Sequence, residues 1–204
     1  MGATLTDDFN RADGPLGAAW TTANGNPLIV ISSYFGTDTS DPANPAFAKF
    51  NTPITTDDWD VTAATNVAGG HAAGFYVRCL SGASLAQGYG CEIRDNGASG
   101  LKVSVMRLDS GIATYLLFEQ VSAITNGGVD HNLRMVLVGS KINVYLDGVF
   151  QTTQTDTTYT SGKYMMLGTE FNDCGFNSFL ATEARTASPR VAAPVTAVQR
   201  ATSW

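Results

Sequence analysis

Residues 131–153 read HNLRMVLVGSKINVYLDGVFQTT and contain two hairpin signals, Gly139-Ser140 and Asp147-Gly148, within an alternating apolar pattern. A two-residue loop at the first signal predicts which residues face each other on the flanking strands. The second signal, a type I′ pair, extends that register to a third strand. The predicted pairs are Val138 with Lys141, Leu137 with Ile142, Met135 with Val144, Leu133 with Leu146, Leu146 with Val149, and Tyr145 with Phe150. The stretch is therefore predicted to be an antiparallel three-stranded meander.

One face of this meander is wholly apolar. It carries Leu133, Met135, Leu137, Ile142, Val144 and Leu146. Because such a face must be buried against a second layer, the pattern predicts an all-β fold of two antiparallel sheets packed as a sandwich. The rest of the chain agrees, since it shows about a dozen short apolar runs separated by turn residues and no helix longer than a turn or two.

Composition and charge limit the class of protein. Of the 204 residues, 44% are hydrophobic, 15% are charged and 21 are glycine, which is typical of a β protein with many tight turns. Residues 1–183, predicted to form one domain, carry nine basic and eighteen acidic residues, a net charge of −9. An acidic body repels phosphate backbones, so we expect no nucleic-acid partner. No apolar run is long enough for a membrane span, and we expect no membrane insertion.

Residues 184–204 differ in composition and are predicted to form an extended C-terminal arm. They contain three Arg and no acidic residue, and they are rich in Ala, Thr and Pro. Such a segment cannot bury enough apolar surface to order itself in water, so we expect it to bind a neighbouring subunit. The alternative is an arm that lies along its own domain. The candidate partner-binding residues are Arg185, Arg190, Val195, Arg200 and Trp204.

Two further expectations concern packing. Residues 114–121 are apolar on both faces, which predicts a strand in the middle of the sandwich. The chain has three cysteines, Cys79, Cys91 and Cys174, an odd number that argues against a disulfide framework. If residues 75–80 and 89–94 form a hairpin, Cys79 and Cys91 face each other, and either a cross-strand disulfide or two buried thiols would fit.

Three segments resemble the concanavalin A-like lectin and glucanase superfamily, including laminin-G-like modules. They are DDFNRADGPLGAAW at residues 7–20, HNLRMVLVGSKINVYLDG at residues 131–148 and SGKYMMLGTEFNDCGFNSFLATE at residues 161–183. The resemblance implies a two-sheet jelly roll over nearly all of residues 5–183, similar to domains of bacteriophage minor tail proteins. It does not specify an activity, because this fold carries lectins, glycosidases and inert structural modules.

The glycosidase branch of this superfamily is recognised by a Glu-x-Asp-x-Glu strand, which is missing here. The nearest candidates are Glu92 with Asp95, at a spacing that places them on opposite strand faces, and Asp58 with Asp60, which share a face. We interpret both pairs as solvated rim or turn residues and expect no catalytic residues, so the protein is predicted not to be an enzyme. His131 is expected to begin its strand and to bond to backbone.

Ligand binding is the other property associated with the fold. Sugar binding needs an exposed aromatic side chain beside amide or carboxylate groups, and the candidates are Tyr34, Trp59, Tyr89 and Asn96. No ligand spacing typical of a metal site is present, and no cofactor is expected. A structural calcium ion could bind at residues 38–41, at Asp57, Asp58 and Asp60, or at Asn172 and Asp173, although ordinary turns explain the same residues.

Two functions remain open from the sequence. The first is a non-enzymatic structural protein of a bacteriophage virion, a minor tail or tail-tip protein, or a capsid decoration protein. It would be made in the host cytoplasm and would bind other virion subunits, its own copies and a host-surface glycan. The second is a free carbohydrate-binding module or a glycoside hydrolase of the same superfamily.

Overall fold

The computed structural model describes residues 4–24, 28–31, 34–37, 46–80, 87–171 and 173–184. This part of the chain forms sixteen strands and one 3₁₀ turn at Gly97–Ser99. The strands are β1 (Thr4–Asp7), β2 (Gly14–Pro15), β3 (Trp20–Asn24), β4 (Leu28–Ile31), β5 (Tyr34–Thr37), β6 (Ala46–Phe50), β7 (Trp59–Asn66), β8 (Ala72–Cys79), β9 (Gln87–Asp95), β10 (Leu101–Asp109), β11 (Ile112–Val121), β12 (His131–Val138), β13 (Lys141–Leu146), β14 (Val149–Thr155), β15 (Tyr164–Thr169) and β16 (Gly175–Glu183). Among the described residues, no helix is long and apolar enough to cross a membrane.

The strands form two sheets, and every pairing is antiparallel. The nine-stranded sheet has the order β14-β13-β12-β7-β16-β5-β4-β2, with β1 added against β16. The seven-stranded sheet has the order β11-β10-β9-β8-β15-β6-β3. The two sheets pack face to face, because each must bury one apolar face. The predicted all-β sandwich is confirmed.

The meander predicted from residues 131–153 is also confirmed, pair by pair. Leu133 faces Leu146, Met135 faces Val144 and Leu137 faces Ile142 on β12 and β13. Tyr145 faces Phe150, and Leu146 faces Val149, on β13 and β14. All six side chains of the predicted apolar face are fully buried. Local turn chemistry and alternation were sufficient here because the two strand connections are short.

A cluster of aromatic rings closes the core between the two sheets. Phe9 and Trp20 come from the amino-terminal segment, and their ring centroids are 5.9 Å apart. Trp20 also packs edge-on against Phe50 at 4.9 Å and against Phe179 at 5.5 Å. Its indole N–H donates a 2.9 Å hydrogen bond to Asp7. The segment at residues 7–20 is therefore attached to both sheets.

Two packing expectations were wrong. Residues 112–121 form β11 at the edge of the seven-stranded sheet, where Phe118 and Val121 are exposed. Cys79 does not face Cys91, because the β8–β9 register pairs Phe75 with Cys91. Cys91 packs between the sheets, whereas Cys79 lies in an outward cluster, and both are free buried thiols.

The last described strand ends at Glu183, and Ala184 is buried after it. Residues 185–204 lie outside the described residues, and with them Arg185, Arg190, Val195, Arg200 and Trp204. The division into a domain and an arm stays a prediction.

Candidate functional site

The outward face of the seven-stranded sheet carries two rows of residues that run across the strands. The register aligns one row as Phe47, Gly168, Gly74, Glu92 and Ser104 on β6, β15, β8, β9 and β10. It aligns the other as Met166, Tyr76, Gly90, Met106 and Tyr115 on β15, β8, β9, β10 and β11. Because side chains alternate along each strand, the intervening residues point into the core. Each row combines large side chains with glycine.

The glycines provide room for the large residues beside them. A Cβ atom at Gly168 would come within 2.5 Å of the Phe47 ring. A Cβ atom at Gly90 would collide with the Tyr76 ring, and one at Gly74 would collide with the backbone of β9 and come within 2.6 Å of Glu92 Cβ. The two rings and the Glu92 side chain therefore lie close to the sheet, where a larger residue on the neighbouring strand would push them outward.

Between these side chains the sheet forms a cleft of about 270 Å³. We call it the outer cleft and define it by Phe47, Tyr76, Glu92, Met106, Tyr115 and Glu170. Tyr76 and Met106 are almost fully buried, whereas Tyr115 on the edge strand is 44% exposed. The outer cleft thus has an apolar floor and one accessible aromatic wall. Its volume lies just below the range of about 300–1,000 Å³ that is typical of small-molecule sites.

The carboxyl group of Glu92 lies in the outer cleft and has an unusual pKa. Burial and repulsion by Glu170 raise the pKa of Glu92 to about 7, although Arg94 acts in the opposite direction. Burial also raises the pKa of Tyr76, so its hydroxyl stays protonated. At neutral pH the outer cleft can therefore present both a carboxylic acid and a phenol as hydrogen-bond donors.

A network of ion pairs holds the other acidic groups in place. Arg94 contacts Glu170 at 2.5 Å and Glu119 at 3.3 Å, and Lys102 contacts Glu119 at 2.7 Å. Glu170 also accepts a 3.1 Å hydrogen bond from the backbone N–H of Ala72. These contacts join β9, β10 and β11 to the residue after β15. Glu170 therefore reaches the outer cleft as an oriented, ion-paired carboxylate.

This combination of groups suits a sugar. Aromatic rings can pack against the apolar face of a pyranose ring, while acidic groups and hydroxyls can bond its hydroxyl groups. The described part of the outer cleft supplies partly exposed rings from Phe47 and Tyr115, a floor that includes the buried Tyr76 ring, and oxygen atoms from Glu92 and Glu170.

The aromatic residues chosen from the sequence lie elsewhere. Trp59 and Tyr89 are both fully buried between the sheets. The Trp59 indole N–H donates to Gly162 O at 3.4 Å, and the Tyr89 hydroxyl donates to Asp156 at 2.7 Å. Neither ring is exposed, so their assignment as a sugar-binding surface was wrong. Asn96 lies in the turn after β9 and precedes the 3₁₀ turn, and the side chain of Tyr34 lies outside the described residues.

The acidic pairs also need correction. Glu92 is not a solvated rim residue, because it lies in the outer cleft. Asp95 is the last residue of β9 and accepts a 2.9 Å hydrogen bond from the Gly97 N–H in the turn that follows. Asp58 pairs with Arg78 at 3.4 Å, and Asp60 pairs with Arg134 at 2.7 Å.

The proposed calcium ligands and His131 have other partners. Asp57 pairs with Lys163 at 3.1 Å, so Asp57, Asp58 and Asp60 each have a cationic partner of their own. Residues 38–41 and Asn172 lie outside the described residues. His131 begins β12 as expected, but its side chain bonds to that of Asp147, with Nδ1 and Oδ2 2.8 Å apart, and not to backbone.

Sequence reasoning missed most of the outer cleft. Tyr76, Phe47, Tyr115 and Glu170 belong to four different strands or strand ends, and only the register joins them. One signal was available, namely alternate glycines at Gly74 and at Gly88 and Gly90, followed by Glu92. Glycine inside a strand often marks a position where another group approaches closely.

The sheet order and the packing of the two sheets define the concanavalin A-like jelly roll, so the chain has the fold shared by carbohydrate-binding modules, lectins and glucanases. No protein-family model matches the sequence, and no curated protein matches it significantly.

Solved structures show the fold despite low identity. The CBM2 module of the evolved Dit protein of Lactobacillus casei BL23 phage J-1 is 13% identical, with a TM-score of 0.62 over 90% of this chain and 98% of that chain. Carbohydrate-binding module CBM66 from Bacillus subtilis is 13% identical, with a TM-score of 0.57 over 83% and 95%. The β-glucanase of Bacillus licheniformis is 12% identical, with a TM-score of 0.61 over 90% and 99%.

Proposed function

We propose that this protein is a non-enzymatic structural protein of a bacteriophage virion, a minor tail or tail-tip protein, that binds a host-surface saccharide in the outer cleft. The observation that carries the binding part is the placement of Tyr76, Phe47 and Tyr115 beside Glu92 and Glu170. The Phe47 and Tyr76 rings lie against glycines and form an apolar floor, and Glu92 and Glu170 lie beside it. An apolar surface beside a few polar groups suits a pyranose ring.

The edge position of Tyr115 makes the saccharide proposal testable without unfolding the protein. Its ring is 44% exposed and packs against exposed Phe118 at 4.6 Å, so Tyr115→Ala should change stability little. We expect the wild type to bind at least one member of an array of bacterial polysaccharides and β-glucan oligosaccharides. Tyr115→Ala should weaken that binding about ten-fold, as expected for the loss of one aromatic contact.

A matched control is available on the other sheet. Phe150 is 54% exposed on β14 and packs against Tyr145 at 5.6 Å, so Phe150→Ala removes a similar ring away from the outer cleft. It should bind the saccharide like the wild type. Equal losses in both variants, or an array on which the wild type binds nothing, would reject the saccharide proposal.

The virion role is supported by the likeness to a module of a phage Dit protein and by the exposed edges of the sandwich. β11 and β14 end the two sheets on the same side, where the Gln120 side chain donates a 3.2 Å hydrogen bond to Gln151 O. Exposed apolar residues on these strands are Ile112, Phe118, Val121, Val149 and Phe150. Exposed edge strands of this kind favour pairing with another chain.

The occupant we propose for this edge is the segment 185–204 of a neighbouring copy. That segment carries a net charge of +3, whereas residues 1–183 carry −9, so the two attract each other at low salt. Twenty extended residues can span about 65 Å, enough to reach the edge of an adjacent domain. Immunogold labelling of the particle would distinguish a tail position from a capsid position, and absence from the particle would reject the virion role.

A second candidate function is glycoside hydrolysis, and one observation favours it. Glu92, with a pKa raised to about 7, stands near the ion-paired Glu170, and a carboxylic acid with a raised pKa near a second carboxyl group is what acid catalysis at a glycosidic bond uses. A reducing-sugar assay on β-glucans and bacterial polysaccharides separates the two functions. Turnover by the wild type that is lost in Glu92→Gln would establish the enzyme. Binding without turnover would support the non-enzymatic proposal.

A further inference from the structure

Three potential metal ligands, none of which defines the outer cleft, meet at one end of the sandwich. They are His71, just before β8, and Asp173 and Cys174, just before β16. One ligand atom from each lies within 4.8 Å of the other two. His71 Nδ1 is 3.0 Å from Asp173 Oδ1, and Cys174 Sγ is 3.4 Å from the same oxygen. The three donors therefore face a common point.

Neighbouring residues hold these side chains in position. The His71 imidazole stacks on the Phe171 ring, with centroids 3.8 Å apart and planes 2° apart. Cys174 is fully buried, and its N–H donates to Phe171 O at 3.3 Å. Gly69 has a φ of +61°, and a Cβ atom there would come within 2.6 Å of Asp173 Oδ2 and 3.0 Å of the His71 ring. A glycine at this position keeps the space above the two ligands open.

We propose that His71 Nδ1, the Asp173 carboxylate and Cys174 Sγ bind a zinc ion, with water as the fourth ligand. Thiolate, imidazole and carboxylate are the ligands that Zn²⁺ uses in proteins, whereas Ca²⁺ and Mg²⁺ prefer oxygen alone. Bond lengths in such sites place neighbouring donor atoms about 3.3–3.7 Å apart. The separations of 3.0 and 3.4 Å from Asp173 Oδ1 are close to those values, and the His71 and Cys174 ligand atoms lie within 4.8 Å of each other.

Binding would require loss of the Cys174 proton. The thiol now donates to the Asp173 carboxylate and to Ala68 O, and on zinc binding the proton would pass to solvent as the sulfur–metal bond forms.

The position of the site indicates a structural role. His71 leads into β8 of the seven-stranded sheet, and Cys174 leads into β16 of the nine-stranded sheet. His71 and Asp173 are 102 positions apart in the sequence, and the segment between them holds five strands of the seven-stranded sheet and three of the nine-stranded sheet, so an ion here would join the sheets at one end. A ligand that binds only the folded state stabilises that state.

The test uses the untagged full chain after treatment with a chelator. Isothermal titration with Zn²⁺ should give one ion per chain and raise the melting temperature. Titration with Co²⁺ should produce the near-ultraviolet absorption of a thiolate–cobalt bond. His71→Asn replaces a partly exposed side chain and should weaken zinc binding about ten-fold or more. Cys174→Ser should abolish the cobalt absorption.

The matched control is Cys79→Ser, because Cys79 is an equally buried free thiol in a different cluster. It should keep both the stoichiometry and the cobalt absorption. Absence of binding by the wild type would overturn the proposal. Unchanged affinity in His71→Asn, or loss of the cobalt absorption in Cys79→Ser with retention in Cys174→Ser, would also overturn it.

Discussion

The ring of Tyr76 covers the backbone of Gly90, its register partner on the neighbouring strand β9. A methyl group at Gly90 would occupy the space of two ring carbons. On its other side Gly90 faces Met106 of β10, so the ring and the methionine share the space above one glycine. The floor of the outer cleft therefore depends on a residue that contributes no side chain to it.

Gly90→Ala should displace the Tyr76 ring into the outer cleft. We expect the free energy of unfolding to fall by about 1–3 kcal/mol, as for other overpacked sites, and saccharide affinity to fall about ten-fold. Urea unfolding and glycan binding measure the two effects. Gly127→Ala is the control, since a Cβ atom there has a single neighbour, at 3.9 Å. Wild-type affinity in Gly90→Ala would show that the ring position is unimportant.

Glu92 should make stability depend on pH. Its pKa is about 7 in the folded protein against 4.5 for a free glutamate, so the folded state holds more protons than the unfolded state between these values. Raising the pH from the lower to the higher of these pKa values therefore lowers the free energy of unfolding. At still higher pH, Glu92 causes no further decrease. The glutamine of Glu92→Gln cannot ionise. Across this window its free energy of unfolding should therefore rise, relative to that of the wild type, by at most on the order of 3 kcal/mol.

Urea unfolding of both proteins at several pH values between 4.5 and 7 tests this dependence. Asp8→Asn, which removes an exposed carboxylate outside the outer cleft, serves as the control and should not reproduce the trend. A constant difference between Glu92→Gln and the wild type at every pH would contradict the raised pKa.

Asp147 should stabilise the central meander through its side chain. It accepts a 2.7 Å hydrogen bond from the Asn132 N–H and contacts His131 Nδ1 at 2.8 Å. Asp147→Ala should lower the free energy of unfolding by about 1–3 kcal/mol, because buried His131 loses its partner. Asp147→Asn should lose less, since an amide oxygen remains and asparagine tolerates the φ of +50°. Equal stability of the wild type and Asp147→Ala in urea would refute this role.

Deletion of residues 185–204 should separate folding from assembly. The described strands end at Glu183, so we expect the free energy of unfolding to change by less than about 0.5 kcal/mol. Self-association should be lost, because the proposed occupant of the β11 and β14 edge is gone. Light scattering and electron microscopy measure assembly. Undiminished assembly of the truncated protein would contradict the proposed role of the arm.

The successes and failures of the sequence analysis have physical causes. The register of residues 131–153 was predictable because two short turns and period-two alternation act locally. The edge position of residues 114–121 was not predictable, because apolar side chains on both faces occur both on an interior strand and on an exposed edge strand. The prediction that Trp59 and Tyr89 form a sugar-binding surface failed for a related reason. The local sequence does not show whether these side chains are exposed or buried, because their burial depends on the packing of the second sheet.

By itself the sequence determined the class of fold, because alternation and turn chemistry are properties of neighbouring residues and need no knowledge of distant ones. Only the tertiary structure decided the sites. The outer cleft arises where the register sets Phe47, Tyr76 and Glu92 beside glycines on other strands, and the metal cluster arises where His71 meets Asp173, 102 residues later. Contacts at such separations depend on which strands become neighbours, and sheet order is set by the packing of the whole chain.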